Sequence, residues 1–399
     1  MDPEANPSHT YRRLRLRTDN HSKGGNSVND VNGPTAAHDD RDGRTFELDT
    51  TSVVRVPLHN GPISDIDISP DGRRLVVTNY GRNGVSVVDA HTCRVSSTVT
   101  ELAEPFAVVM SGADSNYAYV STATPGYDAI EVIDVVTSWR IATHQLANSI
   151  SDLAVSPDGK YLYASRNAVR GADVTVLDTT TGELEVIELA TAPDTTTACM
   201  RISADGRRLY VGMNAPTGGS LAMVETRTRS DNRRVGGRSR IVGVVELGLP
   251  VRDVALSNDG GTAYVASCDP VAGAVLDVVD TRANKIVGTH KVPEITGPLT
   301  RMTLSRDGSR AYLVSDDRIT VVSTHQQDVV GEVKVSKHPS CVVESPDGGH
   351  LYVADYAGVV TAARIASTAP TQTHRGASHR DLSVAGWLPE LPEWEPALA

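Results

Sequence analysis

The sequence is short of cysteine, of net positive charge and of long apolar runs, and each shortage removes a class of protein. Cys93, Cys199, Cys268 and Cys341 stand far apart in 399 residues, with no CxxC or Cys/His spacing. That excludes a disulfide frame or a zinc site as the organising element and reads as reduced, mostly buried thiols. No run comes near the roughly 18 consecutive apolar residues needed to cross a bilayer. Residues 1 to 44 carry charge but no apolar core of a secretory signal, so a cytoplasmic location is expected. A net charge of -11 argues against a body wrapped in nucleic acid, which needs a concentrated positive surface. No G-x-S-x-G elbow, H-E-x-x-H pair or phosphate-cradling glycine loop occurs. Accordingly no catalytic residue, metal site or cofactor is assigned.

What is present is a repeat. The stretch "SPDGRRLVVTNYGRNGVSVVDA" sets an Asp-Gly turn before two runs rich in β-branched residues, the pattern of strand, turn and strand. Its turn recurs at Ser69, Ser111, Ser156, Ser203, Ser257, Ser305 and Ser345, at intervals of 42, 45, 47, 54, 48 and 40 residues. A period in the forties built of short strands is that of a four-stranded propeller blade. Tyr119, Tyr163, Tyr210, Tyr264, Tyr312 and Tyr352 follow their anchors by seven or eight residues, so half of the 12 tyrosines share one slot. A large ring at a fixed point of the second strand is a packing element between blades. The third strand ends in Asp89, Asp134, Asp178 and Asp280, each placed to bond backbone amides of the next turn.

The expected fold is all-β: a single seven-bladed β-propeller of four-stranded antiparallel blades over residues 45 to 366. Val53 to Val56, upstream of the first anchor, are expected to supply the missing outer strand of the last blade and so latch the ring. Residues 1 to 44 form a disordered arm and residues 367 to 399 an extended tail rich in proline and tryptophan.

Four residues before each anchor stand Asp65, Ala107, Asp152, Cys199, Asp253, Arg301 and Cys341. On innermost strands, that register puts three aspartates and an arginine at the channel mouth, able to hold a polar ligand or a cation. Asp67, Arg201 and Arg252 add to it. The same aspartates would equally brace the ring by bonding amides of the adjacent blade. His59 and His338, in loops leading into the first and last inner strands, are ligand candidates at the same place or simply exposed loop residues. Loops after the second strand, at residues 79 to 84, 122 to 128, 166 to 172 and 213 to 219, would form one recognition rim.

Two further surfaces suit a partner. An arginine-rich insertion in the fourth blade holds Arg233, Arg234, Arg238 and Arg240, and the tail holds Trp387 and Trp394. The arginines would dock an acidic protein or stay solvated, and the near absence of aromatic residues beside them leaves little for stacking nucleic-acid bases.

The runs "LVVTNY", "LYVGMN", "AYVAS" and "LYVADY", each between an S-x-D-G turn and a "VxVxD" strand, resemble the YVTN-repeat, YncE-like propellers over roughly residues 47 to 365. The resemblance implies a bacterial protein with seven blades around a central channel, in a family whose members are often exported or surface-associated and mostly of non-enzymatic or uncharacterised role. The function expected is a non-catalytic, monomeric scaffold binding a protein partner or a small polar ligand through rim loops and channel mouth, without a membrane span. A lactonase-like hydrolase using the acidic channel mouth is the enzymatic alternative, because some lactonases share the fold. Nucleic-acid binding through the arginine loop is the third and least expected reading.

Overall fold

A computed structural model describes residues 46, 48–112, 116–147, 149–168, 171–226, 239–316, 318–333 and 338–366. Within them lie seven four-stranded antiparallel sheets, six in simple up-and-down order and one whose outer strand comes from the upstream end of the described residues. The inner strands are Ile63–Ile68, Val108–Met110, Ile150–Val155, Thr196–Ile202, Val251–Leu256, Leu299–Leu304 and Pro339–Glu344, and they define blades 1 to 7. These inner strands pack in cyclic order, with that of blade 7 against that of blade 1. No α-helix occurs among the described residues, only a short 3-10 turn at Tyr80–Arg82.

The S-x-D-G repeat has a local physical cause. In blades 1, 3, 4, 5, 6 and 7 the anchor serine Oγ donates to the aspartate two residues on, at 2.5 to 2.7 Å. The same oxygen accepts the amide five residues on, where the second strand begins. The aspartate accepts a further turn amide, and the glycine holds φ between 66° and 72°, a left-handed conformation that costs other residues about 1 kcal/mol or more. Serine, aspartate and glycine therefore recur together because the turn uses all three.

The tyrosine slot faces the neighbouring blade. The hydroxyl of Tyr352 in blade 7 donates to the carbonyl of Ala90 in blade 1 at 3.1 Å, and that of Tyr312 in blade 6 to Glu344 in blade 7 at 2.7 Å. All six tyrosines of the slot are buried. Apolar burial is divided accordingly into seven clusters, one at each blade junction, rather than gathered in a single centre. Asp89, Asp134, Asp178 and Asp280 each accept two amides of the following turn.

The outer strand of blade 7 is Leu48–Pro57, antiparallel to Val359–Ile365 with Val54 opposite Ala362 and Val56 opposite Val360. Just before it, Phe46 packs on blade 6, edge-on to Tyr312 at 5.7 Å between ring centroids, and its amide bonds the Val330 carbonyl. The upstream segment thus touches both blades 6 and 7.

The rim differs from the sequence expectation in blades 3 and 4. Their second and third strands, Tyr161–Ala168 with Gly171–Asp178 and Arg208–Ala215 with Gly218–Glu225, run on through most of residues 166 to 172 and 213 to 219. Two-residue connections remain. The reason lies in Gly171 at φ 119°, where a Cβ would stand 1.9 Å from the Ala190 carbonyl oxygen, so only glycine lets the hairpin continue.

Candidate functional site

Residues from all seven inner strands line one central cavity of about 290 Å³. A β-bulge common to six blades orients them. The register with the second strand shifts between Ile63 and Asp65, Ile150 and Asp152, Thr197 and Cys199, Val251 and Asp253, Leu299 and Arg301, and Pro339 and Cys341. Such a bulge re-aims the residues after it. The residues following it, Asp65, Asp152, Asp253, Arg301 and Cys341, line the cavity together with Asp67 and Arg201.

These charges form an alternating chain across the channel. Arg301 stands 3.4 Å from Asp65 and 4.0 Å from Asp152. Arg201 donates to Asp152 at 3.1 Å, to Asp253 at 3.0 Å and to the Met200 carbonyl at 2.7 Å. Burial is uneven along this chain of charges: Asp253 is fully buried and Asp152 only 4 % exposed, whereas Arg201 is 34 % exposed.

Each aspartate also ties two blades together. Asp65 accepts the amide of Ile66 beside it and that of Val108 in blade 2. Asp152 accepts those of Leu153 and, in blade 4, Met200. Asp253 accepts those of Val254 and, in blade 6, Met302. Asp67 repeats the pattern with Ile68 and Met110. Bracing is therefore a real role of these carboxylates, and the cavity is bounded by groups already fixed in place.

Electrostatics separates the members. Burial pushes Asp67 up to about 6, against the opposing pull of the Met110 and Ile68 amides. Burial also raises Asp65, with Arg301 countering it. Burial works against the charge of both arginines, but Asp253 and Asp152 beside Arg201, and Asp65 and Asp152 beside Arg301, hold them above the ordinary range. The Cys341 thiol is pushed up to about 12 by burial and is neutral at pH 7.

The other expected site residues lie elsewhere. His59 and His338 are exposed, each with positive φ, and neither lines the cavity. Arg252 occupies the bulge itself in blade 5, the slot held by Ser64 and Ser151 in blades 1 and 3. Its Nε is buried without a hydrogen-bond partner among the described residues. Arg240 opens the outer strand of blade 4 and bonds Glu225 at 2.8 Å on the surface. Arg233, Arg234, Arg238, Trp387 and Trp394 lie outside the described residues.

Register points to Asp65, Asp152, Asp253 and Arg301. Asp67 and Arg201, expected from the sequence two residues further along, line the same cavity, as the two-residue period of a strand requires, while Arg252 does not.

No family model matches the chain. It is 51% identical over 391 residues to the seven-bladed beta-propeller protein Rv1057 of Mycobacterium tuberculosis, an alignment spanning 92% of this chain and 99% of that protein. Among solved structures, a chain of Kuenenia stuttgartiensis hydrazine synthase superposes with a TM-score of 0.66 at 21% identity, covering 76% of this chain and 96% of that one, a likeness of fold alone. With 51% identity over nearly the whole length of Rv1057, and with seven blades in its own structure, the chain belongs to the family of seven-bladed β-propeller proteins.

Proposed function

We propose that the chain is a non-catalytic binding scaffold that holds a small polar ligand in its central channel. The observation that carries this reading is a cavity of about 290 Å³ lined by four aspartates and two arginines from five blades. A cavity of this size with a few converging, fixed polar groups is the usual form of a small-molecule site. Bracing accounts for the carboxylates' bonds to backbone amides, but it leaves the volume between them to be filled. The tyrosine slot and the S-x-D-G turns favour a place for the chain among the YVTN-repeat propellers.

The test is native mass spectrometry of the full-length protein after dialysis against a mixture of small polar metabolites. It is run beside Thr303→Trp, which fills the cavity from the inner strand of blade 6. The reading expects at least one compound retained by the wild type and lost in the filled channel. Retention of nothing by the wild type, or equal retention by both proteins, would overturn it.

A further inference from the structure

The two arginines of the cavity are not equivalent. Arg201 donates three hydrogen bonds, two to carboxylates and one to a carbonyl. Arg301 has its carboxylates at 3.4 and 4.0 Å and makes no hydrogen bond to a described residue, although its side chain is only 12 % exposed. A guanidinium carries five N–H donors. Arg301 lines the cavity, and none of its nitrogens is among the fully buried atoms without a partner, so its donors stay accessible. Among the four aspartates lining the same space, Asp65, Asp152 and Asp253 each have an arginine within 4.0 Å, whereas Asp67 has none that close and accepts two backbone amides. The cavity therefore presents one under-used cation and one carboxylate with no cation in contact.

Charge count selects the ligand class. Four aspartates against two arginines repel a ligand that carries only negative charge. A ligand with only positive charge would suit Asp67 but leave the Arg301 donors unmet. A zwitterion answers both groups and leaves the net charge of the channel unchanged.

The span also fits. Asp67 lies two residues beyond Asp65 on one strand, about 7 Å along it, and Asp65 is 3.4 Å from Arg301. The two groups thus stand within roughly 10 Å of each other. An ammonium and a carboxylate on one carbon, with a charge-assisted contact of about 2.8 Å at each end, bridge roughly 9 Å. The volume of about 290 Å³ is that of on the order of ten waters, enough for a compound of that many heavy atoms.

We infer that the channel takes a small α-amino-acid-like zwitterion, its carboxylate on the Arg301 guanidinium and its ammonium on the Asp67 carboxylate. This rests on the channel being a ligand site at all. The test uses the full-length protein and saturation-transfer NMR on a mixture of the twenty common amino acids. The best binder is then titrated beside two analogues, one lacking the ammonium and one lacking the carboxylate. Each deleted charge should weaken binding by about tenfold to one-hundredfold. Asp67→Asn should erase the preference for the ammonium, and Arg301→Met the preference for the carboxylate. Circular dichroism checks that both variants fold; the analogue series on the wild type stands without them. Binding of a single-charge analogue as tightly as its zwitterion would overturn the assignment. So would absence of any amino-acid signal while another polar compound is retained, an outcome that leaves the channel as a ligand site. No retention of any compound would remove both readings.

Discussion

Replacing Asp152 by alanine should destabilise the propeller more than any other single change in the channel. Its carboxylate accepts the amides of Leu153 at 3.0 Å and Met200 at 2.8 Å, and it pairs with Arg201 at 3.1 Å. Arg301 is 4.0 Å away on the other side. Alanine leaves two buried amides without an acceptor, at about 1 to 3 kcal/mol each. It also takes one of two carboxylates from Arg201, which keeps Asp253 at 3.0 Å and the Met200 carbonyl at 2.7 Å, so this part stays below the roughly 3 to 5 kcal/mol of a buried pair broken outright. Together the two contributions give an expected loss of about 4 kcal/mol. Asp152→Asn keeps the shape and one acceptor and should lose about 2 kcal/mol. Urea unfolding followed by far-ultraviolet circular dichroism reads both as a lower midpoint at unchanged slope. The double variant Asp152→Ala, Arg201→Met should lose less than the sum of its single changes, since both remove the one Arg201–Asp152 contact. A loss under about 1 kcal/mol for Asp152→Ala would refute the view that these carboxylates hold neighbouring blades together.

Other perturbations test other parts of the fold. The Asp67 carboxyl, facing Asp65 and Arg201 and bonded by the Met110 and Ile68 amides, holds its proton up to about pH 6, against 3.8 without the protein around it. Its ionisation therefore works against folding above about pH 6 and ceases to do so as pH falls toward 3.8, so stability should rise from pH 7 to pH 5. Asp67→Asn should lessen that rise, and identical pH profiles for the two proteins would contradict the argument. Phe46→Ala removes a buried ring that meets Tyr312 and lies under the Arg310 guanidinium at 5.2 Å. A loss of about 3 kcal/mol is expected in chemical unfolding, and no loss would mean that the upstream segment does not secure blades 6 and 7. Gly206→Ala, at φ 70° and with the Pro157 ring 3.2 Å from the new Cβ, should cost about 1 to 2 kcal/mol. A neutral result in the melting temperature would show that the turn relaxes.

The blade repeat is legible because its residues act locally. Ser69, Asp71 and Gly72 satisfy one another and the turn around them within six residues, so the motif survives in every blade that keeps the turn. The slot four residues before each anchor is legible for the same reason, and it locates Asp65, Asp152, Asp253 and Arg301. The pairing of charges across the channel is not legible. Arg201 bonds Asp152 and Asp253 from 49 and 52 residues away, and only the packing of neighbouring blades brings them together. The bulge that turns Arg252 away from the cavity while leaving Asp253 in it has no mark in the local residue types. Likewise the short hairpins of blades 3 and 4 depend on Gly171 and Gly218 passing close to the carbonyls of Ala190 and Gly248, contacts set by the neighbouring chain rather than by the loop.

A high-resolution crystal structure of the full-length protein, grown with the best-binding amino acid from the NMR screen, tests the channel reading most directly. The expected result is non-water density bridging the Arg301 guanidinium and the Asp67 carboxylate. A channel holding only ordered water, with Arg301 drawn into hydrogen bonds with Asp65 and Asp152, would contradict it.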